Sequence, residues 1–344
     1  MISLFKYNLD SNLLAKSHSY ELFTIEDRRY TTMIDVVKKY KNTEKNIAFI
    51  EVESLLIKCL TEIHTTNFSK DYDKVIIWAS ELYWDNCDDE DTYNNVLNDN
   101  VHIIFNFFRA DSPYNLNTKS YCSIGSFGDI TQMYLDKYNF ESRYFRHSDY
   151  FEYNLISKFG RPNSHRIELY NELKDLPNFV YSINNFPYVE DDGQVVSKTF
   201  ESENDLTGDF KSYHLPDEDF ESFSELITET RLSTYENSKR LISATEKTLK
   251  GFMFKRPNIT LVQPEVYSYL ETFGFKFPNI LGMDSKTQQL EICKQISLLS
   301  QTECKQLSLQ NKDVYESNFN TLVDFLKYHR NKFDEIVKEI IYDN

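Results

Sequence analysis

Three short apolar runs constrain this chain most: Asn46 to Val52 (NIAFIEV), Lys74 to Ala79 (KVIIWA) and Val101 to Phe108 (VHIIFNFF), each bounded by polar or turn-forming residues. Runs this short and this rich in Ile, Val and Phe suit strands of a sheet covered on both faces. Segments with helical spacing, Tyr30 to Tyr40 and Ser54 to His64, alternate with them. Strands alternating with helices read as a parallel α/β sheet in the first half.

The pattern restarts after Tyr150. Residues 164–175 (SHRIELYNELKD) read as a helix with Ser164 as N-cap after Pro162, and Asn178 to Ile183 as the next strand. Glu190 to Glu221 is acid-rich and poor in apolar residues, and reads as an extended surface loop. Then come a strand over Phe223 to Glu229, a helix over Ser243 to Phe254 that begins near Ser243 or Thr245, a strand over Asn258 to Val262 and a helix over Pro264 to Phe273 stopped by Gly274. From Tyr315 to Tyr342 one stripe carries Phe319, Leu322, Val323, Leu326, Phe333, Ile336 and Ile340, which predicts a long closing helix. At 344 residues, two domains are expected, 1–150 and 151–305, with 306–344 a helical segment packing back across them.

Composition narrows the class. With 40% hydrophobic residues and only 8 Gly and 8 Pro, the chain is neither disordered nor of low complexity. Its 54 acidic against 38 basic side chains give a formal net charge of −16, so any contact with a polyanion needs a local basic patch. Five cysteines, Cys59, Cys87, Cys122, Cys293 and Cys304, have no metal-ligand spacing and read as reduced core thiols. The first residues, MISLFKYNLDSN, lack a signal-peptide pattern and no stretch reaches ~18 apolar residues, so a cytoplasmic chain without a membrane span is expected. Gly125-Ser126-Phe127-Gly128 reads as a turn, since neither a dinucleotide fingerprint nor a P-loop is present.

The chemistry concentrates in Leu226 to Gly274. An acidic strand end at Glu229 precedes Thr245-Glu246-Lys247 at a helix start, where free N–H groups and the helix dipole can grip an anion such as a diphosphate. Lys239, Arg240, Lys247, Lys250, Lys255 and Arg256 make this part locally basic. Arg161, His165 and Arg166 stand at a strand-to-helix turn, where guanidinium groups can fork onto phosphate oxygens. Taken as spacing alone, Thr245 and Glu246 read equally well as a plain helix cap with solvated lysines around it.

The segments TEK, RPNITLVQP and YLETFGFKFP resemble the donor-binding half of fucosyltransferase-like enzymes and a group of phage-encoded glycosyltransferases with the form "TEKTxKP…PFI…LxxLGFKTF". Lys158 to Leu173 (KFGRPNSHRIELYNEL) is similar to that group's "NRRPRxHRxxLxxEL", and Lys327 to Phe333 (KYHRNKF) to its "HNxxxF". The resemblance covers about residues 155–335; Gly251 stands where the group has Pro, and the "ESYD" portion is missing after Gly282. It implies a GT-B fold, two Rossmann-like domains facing a cleft, with a nucleoside-diphosphate sugar as co-substrate and no metal requirement. In its terms Lys247 with Arg161 or Arg166 neutralises the departing diphosphate, with Thr245 and His165 beside them, and Glu246 or Glu229 holds ribose or sugar hydroxyls.

The acceptor half carries no resemblance. Glu81 after KVIIWAS and Asp111 after VHIIFNFFRA, the latter beside Arg109, are the candidates for the catalytic base. The phage likeness extends to a hydroxymethylated cytosine in double-stranded DNA as acceptor, in a host cytoplasm, with Lys38, Lys39, Lys41 and the Arg143 to His147 segment as candidate phosphate contacts. The alternatives are glycan or protein acceptors, or a non-catalytic binding or virion protein on a degenerate GT-B scaffold.

Overall fold

A computed structural model of the chain describes residues 2–7, 31–54, 56–83, 100–106, 120–138, 151–159, 163–189, 195–198, 200, 215–229 and 244–342. These fall into two compact units. The first takes the chain up to Gln132 together with Leu326 onward; the second takes the described residues from Met133 to Phe325.

The first unit is a parallel sheet in the sequential order β1 (Ile2–Tyr7), β2 (Ile47–Ser54), β3 (Lys74–Tyr83), β4 (Val101–Phe105) and β5 (Ser120–Cys122). Among the described strands the order runs straight across the sheet, without the reversal of a doubly wound Rossmann sheet. The three apolar runs are β2, β3 and β4. Alternate side chains serve opposite faces: Ile50, Val52, Ile77 and Ile103 pack with α2 (Leu56–Thr65), while Ile47, Phe49, Ile76 and Trp78 pack with α1 (Thr31–Tyr40). Burial on both sides is why these strands are continuous rather than alternating in hydrophobicity. Gly125 to Gly128, expected as a turn, form the first turn of α3 (Gly125–Lys137). Asp129 on that helix accepts the Thr32 N–H (2.7 Å) and hydroxyl, so a neighbouring helix supplies the cap of α1.

The second unit has the order β10-β9-β6-β7-β8. The chain enters through β6 (Tyr153–Lys158), runs through α4 (Ser164–Leu173) to β7 (Phe179–Val189), adds the antiparallel edge β8 (Val195–Lys198), and returns to the other side of β6 as β9 (Ser222–Thr228). After β9 come α6 (Glu246–Gly251), a 3-10 turn over Phe252–Phe254 and β10 (Asn258–Leu261). The expected single helix over Ser243 to Phe254 is thus short and tightens at its end. The strand order, not the strand direction, reverses between β6 and β9, which makes their carboxyl ends the switch point of an open α/β sheet. Next are α7 (Pro264–Thr272), ended by Gly274 at φ 96°, then α8 (Gln289–Ser297) and α9 (Gln301–Gln310). Leu155, Leu226, Ile259, Ile292, Ile296 and Leu307 join in one core. The helix cap belongs to Asn163, one residue before the expected Ser164.

The acid-rich stretch expected as a surface loop is structured where it is described. Besides β8 it holds α5 (Asp217–Glu221), whose Asp219 is fully buried. Lys158 on β6 bonds both Asp219 and Glu225 (2.9 Å to the latter), and Arg256 reaches Glu225 (3.2 Å), the Ser222 carbonyl (2.8 Å) and the Asp219 carbonyl. Burial would raise the Glu225 carboxyl, but the Lys158 ammonium overrides it and holds the group well below the usual carboxylate range. Asp219, near the end of this stretch, is a counter-charge for the buried Lys158 and Arg256.

The last helix, α10 (Lys312–Tyr342), contributes its residues through Phe325 to the second unit and those from Leu326 to the first. Asn318 exchanges two hydrogen bonds with the Lys276 backbone (2.8 and 2.7 Å), and Phe333 meets Trp78 edge-on at 5.7 Å. Most of the expected stripe is buried; Val323 is 43% exposed. Among the described residues, no helix is long and apolar enough to cross a membrane. Cys59, Cys293 and Cys304 are buried free thiols, and burial raises all three, Cys304 to about 12. Cys122 lies in β5 and Cys87 outside the described residues.

Two outcomes follow. A Cβ at Gly251 would sit 2.2 Å from Ile227 Cδ1 and 2.8 Å from Asn258 Nδ2, so Gly251→Ala is expected to cost about 1–3 kcal/mol in urea denaturation. Burial raises the Asp129 carboxyl from 3.8 to about 7. The folded state therefore binds the extra proton across that window, and stability falls as pH rises through it. Asp129→Asn removes this dependence, so relative to wild type it should gain stability from pH 5 to pH 7 at up to about 1.4 kcal/mol per pH unit. Parallel stability–pH curves for the two proteins would show that Asp129 is not the titrating group.

Candidate functional site

The sequence-predicted residues of the second unit converge on the carboxyl ends of β6 and β9. Arg166, in the first turn of the helix after β6, is buried and donates to the Thr228 carbonyl at 2.6 Å, the last residue of β9. Its neighbour His165 places Nε2 3.0 Å from the Glu229 carbonyl. A carbonyl only accepts, so Nε2 carries the proton. Burial lowers the His165 pKa, with Arg166 adding to it, and the ring is neutral at pH 7. Two contacts thus tie the helix after β6 to the end of β9 across the switch point.

Glu229 is 0% exposed and its carboxylate is occupied from within the chain. Oε1 accepts the Thr245 N–H (2.9 Å), the Thr248 N–H (3.2 Å) and the Thr248 hydroxyl (2.6 Å), and Oε2 accepts the Thr245 hydroxyl (2.9 Å). Thr245 Oγ1 in turn accepts from the Lys247 N–H at 3.3 Å and Nζ at 3.4 Å. The start of α6 was expected to present free N–H groups to an external anion. Instead it finds its anion in Glu229, because a buried helix start must have its donors satisfied and a carboxylate also complements the dipole.

What faces outward is the side chains. Glu246 and Lys247 pair at 3.5 Å, with side chains 24% and 36% exposed. Burial would raise Glu246, but the Lys247 ammonium outweighs it and lowers the pKa; burial would lower Lys247, but Glu246 and Glu229 outweigh it and raise the pKa. Both are therefore charged at pH 7.

The remaining basic residues divide. Arg256 is consumed by Asp219 and Glu225, and Lys255, 8% exposed in a left-handed conformation (φ 49°), stands over the Phe319 ring at 4.4 Å. Lys250 is partly buried on α6. Lys239, Arg240, Arg161, Arg109, Asp111 and the Arg143 to His147 segment lie outside the described residues. Glu81 lies within β3 rather than beyond its end. In the first unit Lys38 and Lys41 are exposed, and Lys39 is held by Asp334 at 2.5 Å. The similar-looking KYHRNKF segment lies in α10, where His329 is buried and burial lowers its pKa to about 3, which marks packing rather than chemistry.

Sequence reasoning missed Thr248, which completes the Glu229 cage, and the partners of Lys158. A signal was present for each: a second Thr three residues after Thr245, and Glu225 inside the expected strand from Phe223 to Glu229, a residue type buried only when paired. Comparison of the chain with protein-family models, characterised proteins and solved structures returns no significant match.

Because four donors converge on one buried carboxylate, Glu229→Ala is expected to cost about 2–4 kcal/mol in chemical denaturation, against about 1 kcal/mol for Thr245→Ala. Equal losses in the two variants would mean that the cap, not the carboxylate, carries the interaction.

Proposed function

We propose that the second unit binds a nucleoside-diphosphate sugar and that the chain is a glycosyltransferase of GT-B type. The observation that carries this reading is the meeting of two sequence elements, His165-Arg166 and Thr245-Glu246-Lys247, around Thr228 and Glu229 at the switch point. Open α/β sheets take their ligands at this place. The same two elements are the ones that resemble the donor half of phage-encoded and fucosyltransferase-like glycosyltransferases.

In this reading Lys247 meets the diphosphate, Arg166 braces the end of β9 and supports the positive field, and Glu246 takes a ribose or sugar hydroxyl. Glu229 acts as a positioning residue, since its oxygens already hold α6. Transfer breaks the bond from sugar C1 to the phosphate oxygen, with the electron pair leaving on the diphosphate. The acceptor oxygen bonds C1, and its proton passes to a base, for which Glu81 and Asp111 are the proposed groups. The acceptor is a hydroxyl, and hydroxymethylcytosine in duplex DNA is the first to try.

A thermal-shift and turnover screen of UDP-, GDP- and ADP-sugars, with and without hydroxymethylcytosine DNA, tests the proposal. Stabilisation by one donor is expected, with a loss of about 10–100-fold in its affinity on Lys247→Ala at unchanged melting temperature. Absence of any shift would favour a non-catalytic protein on this scaffold, and unchanged binding by Lys247→Ala would sink the donor-site assignment.

A further inference from the structure

The imidazole of His165 is anchored by one nitrogen and unused at the other. Nε2 donates to the Glu229 carbonyl at 3.0 Å, so the proton sits on Nε2 and Nδ1 keeps its lone pair. The two nitrogens of a rigid ring point in nearly opposite directions, so fixing Nε2 on the residue after β9 turns Nδ1 away from that strand end. Nδ1 bonds no described residue. The ring is half-buried, and Nδ1 is not closed off as both ring nitrogens of His102 are. The charged neighbours on α4 do not fill it: Arg166 is turned to the Thr228 carbonyl, and Glu168, which can only accept, is exposed. Burial keeps the ring neutral at pH 7, with Arg166 adding to the effect, so Nδ1 stays an acceptor.

Its place gives that lone pair a use. Glu229 is bonded from two sides, its carbonyl by His165 and its carboxylate by Thr245, whose Oγ1 lies 3.4 Å from the Lys247 ammonium. A cation and a bare lone pair thus flank one residue at the switch point. They favour different atoms. The ammonium draws phosphate oxygens, whereas the lone pair repels an anionic oxygen and accepts from an O–H or N–H. The tautomer is therefore wrong for a diphosphate, beside which the sequence placed His165, and right for a hydroxyl. On either side of the diphosphate in a nucleotide sugar stands a sugar ring, so the nearest donors to a diphosphate held at Lys247 are hydroxyls.

We propose that His165 Nδ1 accepts a hydrogen bond from a ribose or sugar hydroxyl of the bound nucleotide sugar and so orients that ligand. The proposal rests on the donor-site reading above and deepens it. Two isosteres separate it from a role as a tether to β9. His165→Gln places an amide N–H where Nε2 stands and no acceptor at the Nδ1 position; His165→Asn places a carbonyl oxygen where Nδ1 stands and no donor at the Nε2 position. Wild type and both full-length variants are melted, then titrated calorimetrically with UDP-glucose, GDP-mannose and ADP-glucose and with UDP, GDP and ADP. His165→Gln should melt like wild type but bind about 3–10-fold more weakly, the range of one hydrogen bond. His165→Asn should melt lower yet bind more tightly than His165→Gln. A loss shared by the nucleotide sugar and its diphosphate puts the hydroxyl on the ribose; a loss confined to the nucleotide sugar puts it on the transferred sugar.

Full affinity in His165→Gln, or affinities that follow the melting temperatures of the two variants, overturn the role of Nδ1 and leave the donor site in place. Failure of every nucleotide to bind wild type overturns the donor-site reading itself, and the role of His165 with it.

Discussion

The carboxylate of Glu229 organises the carboxyl end of β9 in the second unit. It lies one residue past β9, fully buried, and four donors from Thr245 and Thr248 close on it. A buried carboxylate is tolerable only when its lone pairs are filled, and a helix start is tolerable in the interior only when its N–H groups are. Each requirement here answers the other. The consequence is directional: with the Thr245 and Thr248 amides turned inward to Glu229, the paired side chains of Glu246 and Lys247 are the charged groups the start of α6 turns outward.

Beneath α6 lies a second polar device, the cluster of Lys158, Asp219, Glu225 and Arg256. It links two strands, β6 and β9, with α5 and with the segment leading into β10. Such clusters contribute modest net stability because desolvation offsets attraction, but removal of any one member strands a buried charge. Arg256 also lies over the Phe254 ring at 4.2 Å, which adds a cation–π contact. In a chain of net charge −16, cations drawn into the interior are unavailable to the surface. Of the basic residues from Lys247 to Arg256, Arg256 is held by this cluster and Lys255 lies over the Phe319 ring, both buried.

Much of the framework was legible from residue pattern. Runs such as NIAFIEV and KVIIWA read as buried strands because period-free hydrophobicity over so few residues fits a two-sided sheet, and the Pro264 to Gly274 helix carries both its start and its stop signals. Where the reading went astray, a local signal was overridden by a partner far away in sequence. Gly125 to Gly128 look like a turn, yet they begin a helix whose Asp129 caps α1 from ninety-seven residues away. Asp219, near the end of the acid-rich stretch, looks like a loop residue because its partners, Lys158 and Arg256, are not its neighbours in the chain.

The candidate site shows the same division. Composition, spacing and the order of apolar and polar residues determined the α/β class, most strand and helix positions, and the short list of charged groups, since these depend on periodicity and on local steric preference. Whether a charged group on that list faces solvent, a carboxylate or a carbonyl was decided only by tertiary structure. Thr245-Glu246-Lys247 has one spacing whether the helix start points at a ligand or at Glu229, and only the packing of α6 on the end of β9 brings that carboxylate within 3.2 Å of the Thr245 and Thr248 amides. Hydrogen bonds and desolvation act over a few ångströms of space, and separation along the chain does not encode them.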